Sequence, residues 1–173
     1  MNLHIVLFEP EIPPNTGNIA RTCAVVGATL HLVGPLGFSL DQKYIRRAGL
    51  DYWPLVNLVE YESIADFMKK HEKDNLFFLT TKAHHVYSDS VYNAKETNQD
   101  IYLVFGKESA GIPEEILKQN PAKCIRIPMR KELRSLNLSN SVAIAVYEVL
   151  RQFNFPDLER DGQLHRLKWE KEE

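Results

Sequence analysis

A chain of 173 residues, 44% hydrophobic and 25% charged, has the size and balance of one folded domain with a sizeable core. No apolar run approaches the roughly 20 residues that cross a bilayer, so no membrane partner is expected. A net charge of −2 and a pI of about 6.3 exclude a uniformly basic surface. Local clusters persist inside that sum: Lys43, Arg46 and Arg47 lie together, as do Arg126, Arg130, Lys131 and Arg134. Cys23 and Cys124 are the only cysteines and form no Cys-x-x-Cys pair, which suits a reducing cytoplasm and offers no metal site. Met1-Asn2-Leu3-His4 runs straight into a strand-like stretch, so no leader is expected.

Strand-like runs alternate with helical patterns. Strands are predicted near His4–Glu9, Leu30–Gly34, Leu55–Tyr61, Leu76–Thr81, Ile101–Gly106 and Cys124–Met129. Ile5-Val6-Leu7-Phe8 and Tyr102-Leu103-Val104-Phe105 are continuously apolar, as strands covered on both faces should be. A first helix is expected over Thr16–Val26, capped by Asn15 or Thr16 and stopped by Gly27. Ser63 followed by Asp66 marks the start of a helix to about His71, and Pro113-Glu114-Glu115 reads as another first turn. The longest helix should run from Leu138 to Phe153 and bury Val142, Ala145, Val146, Val149 and Leu150. The alternation implies an α/β fold, an open and largely parallel sheet with helices on both faces. One domain over 1–156 accounts for all of it. Residues 157–173 form a charged tail or a short helix, with Leu164, Leu167 and Trp169 suited to docking on a partner subunit.

In open parallel sheets ligands sit beyond the carboxyl ends of the strands, and three loops there are more polar than connection requires. The first is Pro13-Pro14-Asn15-Thr16-Gly17-Asn18-Ile19-Ala20-Arg21. Asn18 and Arg21, three apart, share one helical face opposite Ile19 and Cys23, and a polar face beside a helix N-terminus suits a phosphate or ribose. The second is Phe105-Gly106-Lys107-Glu108-Ser109-Ala110-Gly111-Ile112-Pro113. It is not a P-loop: Ile101 stands where the first glycine is needed, and Glu108 follows the lysine. No G-x-G-x-x-G fingerprint is present either. A plain strand-to-helix turn needs one glycine, and Glu108 between two is an unusual choice for a connector. The third is Ile127-Pro128-Met129-Arg130 leading to Ser135-Leu136-Asn137-Leu138-Ser139-Asn140. One N-cap, Ser139 or Asn140, would suffice for the helix, so the remaining small polar groups point to a ligand. His84-His85 reads as an exposed loop pair with no further metal ligand, and Trp53 as a packing residue.

Together the three loops, with Leu7-Phe8-Glu9-Pro10-Glu11-Ile12 and Arg46-Arg47-Ala48-Gly49-Leu50-Asp51-Tyr52, resemble the motifs of the SPOUT superfamily of RNA methyltransferases. The similarity is greatest to the branch that methylates the ribose 2′-oxygen at the tRNA wobble position. It covers the chain to about Pro156.

The resemblance implies a C-terminal deep trefoil knot, which general chain-threading rules would not predict. It implies S-adenosylmethionine as methyl donor, tRNA as partner and a homodimer that completes the site. By position, the cofactor contacts are Leu79, Gly106, Ile127 and Ser135. Arg21, Asn137, Ser135 and Glu108 are the implied catalytic residues, with Asn15, Asn18, Arg21 and Arg46 on the substrate side. A sulfonium methyl is already electrophilic, so no metal is required. The demand is in-line placement of a weakly nucleophilic hydroxyl and stabilisation of its developing charge. Arg21 would supply that charge, while Glu108 would steer the ribose or hold Arg21. Two alternatives stay open: the same chemistry on rRNA or another tRNA position, and a non-catalytic RNA-binding module on this fold.

Overall fold

The computed structural model describes residues 2–40, 53–92 and 100–169. In chain order the strands are β1 (Leu3–Phe8), β2 (Thr29–Val33), β3 (Asn57–Tyr61), β4 (Asn75–Leu79), β5 (His85–Val86), β6 (Ile101–Phe105) and β7 (Cys124–Arg126). The helices are α1 (Pro13–Val26), α2 (Ile64–Lys70), α3 (Glu114–Gln119) and α4 (Leu138–Gln152).

The seven strands form one sheet in the order β3-β2-β1-β6-β4-β7-β5, every pairing parallel. β1 and β6 pair from Leu3↔Ile101 to Leu7↔Phe105. From β1 the chain builds outward to β2 and β3; from β6 the sheet extends the other way. The loops after β1 and β6 therefore leave side by side at the point where strand order reverses, the usual ligand crevice of such sheets.

Alternation along each strand divides the core in two. Ile5, Leu7, Leu30 and Leu103 face α1 and α4, which contribute Ile19, Cys23, Val142, Val146 and Val149. Val6, Phe8, Phe78 and Val104 face α2 and α3, with Phe67 fully buried and Ile116 and Leu117 packed beside it. The α4 residues expected in the core are all buried there. Ser63 caps α2 by accepting from the Asp66 amide, and Gly27 ends α1 at φ 71°.

Several boundaries differ from expectation. α1 begins at Pro13, not Thr16, and its N-cap is Ile12 with no side-chain cap bond. The reason lies in the paired prolines: without N–H groups, the first two helical positions need no acceptor. The N-cap of α4 is Asn137 rather than Ser139 or Asn140. β7 stops at Arg126, short of Pro128, which has no amide to continue a ladder. Trp53–Leu55 form a 3₁₀ turn closed by the Val56 amide on Trp53 O at 3.2 Å, so β3 starts later than predicted. His85 is not in a loop but in β5, the edge strand paired to Ile125. Trp53 packs on the first core cluster. From Asp157 to Trp169 the tail has no helix, and Leu167 and Trp169 are exposed.

Candidate active site

A cleft of about 580 Å³ opens at the carboxyl ends of β4, β6 and β7. Leu79, Gly106, Ile127 and Ser135, four residues singled out by sequence, line it together. They come from three strand ends and from the irregular segment that leads into α4. Met129, Leu136 and Leu138 add apolar wall, while the backbone of the Gly106 loop supplies polar groups at the rim. Volume and mixed lining are those of a small-molecule site.

The Gly106 loop folds back on itself: the Gly111 amide donates to Lys107 O at 2.8 Å. A Cβ on Gly106 would lie 2.0 Å from Gly111 C and 2.2 Å from Ile112 N, so only glycine fits. Gly111 itself sits at φ 73°, in the left-handed region. Both glycines thus have a backbone reason, and Glu108 between them has a separate one.

Glu108 joins the second loop to the first. Its carboxylate accepts from the Glu11 amide at 2.9 Å, the Ile12 amide at 3.3 Å and Asn15 Nδ2 at 2.9 Å. Asn15 is buried, and its Oδ1 accepts from Asn137 Nδ2 at 3.0 Å. Asn137 Oδ1 in turn accepts from the Ser139 amide, the Asn140 amide and Ser139 Oγ, which starts α4. One continuous bond path, Glu108–Asn15–Asn137, therefore ties all three loops around the cleft. Two acidic side chains reinforce it from the loop after β1: Glu11 accepts from Ser109 N and Oγ at 2.9 and 2.8 Å, and Lys107 Nζ donates to Glu9 at 2.8 Å. The Ser109 bonds hold the Glu11 carboxyl below its usual pKa, and the Glu9 carboxylate raises that of Lys107.

The SpoU rRNA Methylase family matches residues 2–147, most of the chain and every element that builds this cleft. The chain belongs to the SpoU family. Its relatives include the tRNA (cytidine(34)-2′-O)-methyltransferase of Escherichia coli (strain K12), 46% identical over 155 residues, 89% of this chain and 96% of that one. The enzyme of the same name from Yersinia pestis is 48% identical over 160 residues, covering 89% and 96%. A solved chain from Bacillus anthracis superposes with a TM-score of 0.84 at 46% identity, covering 92% of this chain and 99% of its own. Another, from work on the 2-OH methylation of C/U34 on tRNA, has a TM-score of 0.79 at 42% identity and covers 88% and 96%.

Within this SpoU chain the remaining predicted residues fall into three groups. Asn15, Glu108 and Asn137 line the cleft, but their side chains are occupied by the bonds that join its walls. The oxygens of Glu108, expected to steer the ribose or hold Arg21, face the Glu11 and Ile12 amides and Asn15. Asn18 and Arg21 sit on the exposed side of α1 and do not line the cleft of the single chain. Arg46 lies outside the described residues. Sequence reading assigned no role to Glu9 and Glu11. Two carboxylates flanking Pro10 at a strand end were the available signal, but their partners, Lys107 and Ser109, stand 98 residues away.

Proposed function

We propose that this protein methylates the ribose 2′-oxygen of the wobble nucleotide of tRNA, cytidine or uridine, using S-adenosylmethionine. The observation that carries this reading is near full-length identity of 46–48% to enzymes named for that reaction, on a chain with a cleft at the sheet's crossover point. The cleft residues fit the donor: apolar Leu79, Ile127 and Leu138 suit the adenine, and the loop backbones around Gly106 suit its polar edges. When bound, S-adenosylmethionine supplies an already electrophilic methyl group. Gly106 keeps its loop tight at the cleft wall, and Ser135 would hold the amino-acid end of the donor with its hydroxyl. Glu108, Asn15 and Asn137 are positioning residues that hold the three walls in register.

Arg21 is the proposed catalytic cation, stabilising charge on the 2′-oxygen or the adjoining phosphate. It reaches the reaction from a second copy of the chain. The homodimer is supported by an apolar outer surface on the packed pair α1 and α4, where Val25, Ile144 and Tyr147 are exposed. Asn18 and Arg46 would hold the RNA, and two copies would sum the basic clusters that one acidic chain dilutes. tRNA affinity is then strongly salt-dependent. The methyltransferase domain spans 1–156 and works in the cytoplasm, with 157–173 as an appended tail. The irregular segment 127–137, returning past the Gly106 loop into α4, is consistent with a C-terminal trefoil knot.

The experiment is incubation with labelled S-adenosylmethionine and total RNA, followed by mapping of the modified nucleoside. Label on the 2′-oxygen of tRNA position 34 supports the proposal. Label confined to rRNA, the substrate in the family's description, replaces it with the second reading.

A further inference from the structure

The half of the sheet away from the cleft contains an unusual run of buried polar side chains. His4 on β1, His31 on β2, Tyr61 on β3 and His71 at the end of α2 lie in one line on the α2 side of the sheet. His4 Nδ1 is 2.9 Å from His31 Nε2, His31 Nδ1 is 3.1 Å from Tyr61 Oη, and Tyr61 Oη is 2.8 Å from His71 Nε2. His71 Nδ1 ends the line, 2.6 Å from Asp74 Oδ2. His31 and His71 are buried, 3% and 6% exposed, and Tyr102 stacks on His4 with ring centres 4.2 Å apart. At the other end Asp100 Oδ2 lies 3.3 Å from His4 Nε2, within ion-pair distance but longer than the Asp74 contact and out of hydrogen-bond alignment. Asn2 Nδ2 donates to the other oxygen of Asp100, Oδ1, at 2.9 Å.

With all three imidazoles neutral, counting protons gives the line a direction. Three neutral imidazoles and one phenol carry four protons, and there are four aligned contacts. A carboxylate oxygen 2.6 Å from His71 Nδ1 requires a proton on that nitrogen, since two lone pairs at that distance repel. His71 Nε2 must then accept from Tyr61, Tyr61 from His31 Nδ1, and His31 Nε2 from His4 Nδ1. Every proton is used, and the one bare nitrogen is His4 Nε2, which faces its carboxylate at the longer distance, 3.3 Å against 2.6 Å. The reverse order would set a bare His71 nitrogen against Asp74 and spend a proton on the misaligned Asp100 contact.

We propose that this end of the sheet is latched by a one-way hydrogen-bond line, His4→His31→Tyr61→His71→Asp74, which is complete only with all three imidazoles neutral and which acid opens. Burial supports neutrality at two of the three: it lowers the pKa of His31 to about 3 and that of His4 below its usual value, and it raises that of Tyr61, which keeps its proton. The charged and titratable groups around the line, among the described residues, are Asp100 and Tyr102 beside His4, Asp74 beside His71, and Lys70 with Nζ 5.3 Å from the Tyr61 ring centre. A histidine with a depressed folded pKa contributes stability that is whole above the unfolded value near 6.5 and fades as pH falls below it. The line ties β1, β2, β3 and α2 together, so acid loosens that block first.

Nitrogen NMR of the uniformly labelled full chain at pH 7.5 tests this. His4, His31 and His71 are all expected as the Nδ1–H tautomer, the minor form of free histidine in water. In Tyr61→Phe, His31 loses the acceptor for Nδ1–H. His4 and His31 are then expected to turn to Nε2–H, while His71 keeps its proton on Nδ1. The unfolding equilibrium constant of the wild type should rise about tenfold per pH unit below about pH 6 for each proton taken up, and less steeply in His31→Phe. If that variant does not fold, the tautomers of the wild type and Tyr61→Phe still decide the matter. Nε2–H on His4 or His31 in the wild type, a doubly protonated His71 at pH 7.5, or a stability unchanged from pH 7 to 5 overturns the proposal.

Discussion

The two ends of the sheet use polar side chains in opposite ways. At the carboxyl ends of the strands, Glu108, Asn15 and Asn137 bond mainly to one another and to backbone amides, around an open cleft. Across the β1–β3 half of the sheet, His4, His31, Tyr61 and His71 bond side chain to side chain in a closed interior. The open network can tolerate a charged member, because the carboxylate of Glu108 is satisfied by two amides and an amide side chain. The closed network, with its imidazoles neutral, has four protons for four aligned contacts and none to spare. An interior that must be polar but not ionic pins strands together; a rim that accepts charge leaves a cavity for a ligand.

The largest expected effect falls on the open end. Gly106→Ala forces a Cβ to 2.0 Å from backbone at Gly111, so the loop must move. Calorimetry should lose S-adenosylmethionine binding altogether, and unfolding free energy should fall by about 3 kcal/mol or more. Binding retained at the wild-type level would mean that the loop is not part of the cofactor site. Next, Arg21→Ala should lower turnover on tRNA by about 100-fold or more while stability stays within about 0.5 kcal/mol, since the residue is exposed. Such a split between activity and stability is what separates a working residue from a structural one.

Smaller effects refine the comparison. Glu108→Ala strips three donors of their acceptor and should cost about 1–3 kcal/mol in denaturant unfolding, with Glu108→Gln recovering part of it. A double-mutant cycle between Asn15 and Asn137 should give a coupling of about 0.5–1.5 kcal/mol, because a direct side-chain bond joins them across the two loops. Zero coupling would mean that the walls are held by packing alone. Acid titration of stability reports on the closed end: the loss should amount to about 1.4 kcal/mol per pH unit for each proton taken up below about pH 6.

The open end was readable in sequence because its polar residues crowd into loops where apolar strands stop. Asn137 stood out as surplus to capping and Glu108 as surplus to a turn, while Asn15 read as a cap; the structure bonds all three in one path. What the letters did not carry was the form of the bond. Asn137, not Ser139, starts α4, and Glu108 turns toward backbone amides that only the adjacency of β1 and β6 brings near. The closed end was invisible for a related reason. His4, His31, Tyr61 and His71 are spaced 27, 30 and 10 residues apart along the chain, one to an element, and only the parallel order β3-β2-β1 aligns them. Local pattern reveals a crowded loop; it does not reveal a line drawn across strands.

The central claim is that the chemistry occurs at one oxygen of one nucleotide. Two tRNA transcripts identical except for the 2′-hydroxyl of nucleotide 34 test it directly, each incubated with the full-length protein and labelled S-adenosylmethionine. Label should enter the ribose-containing transcript and be absent from the 2′-deoxy one. Equal labelling of both would contradict the account.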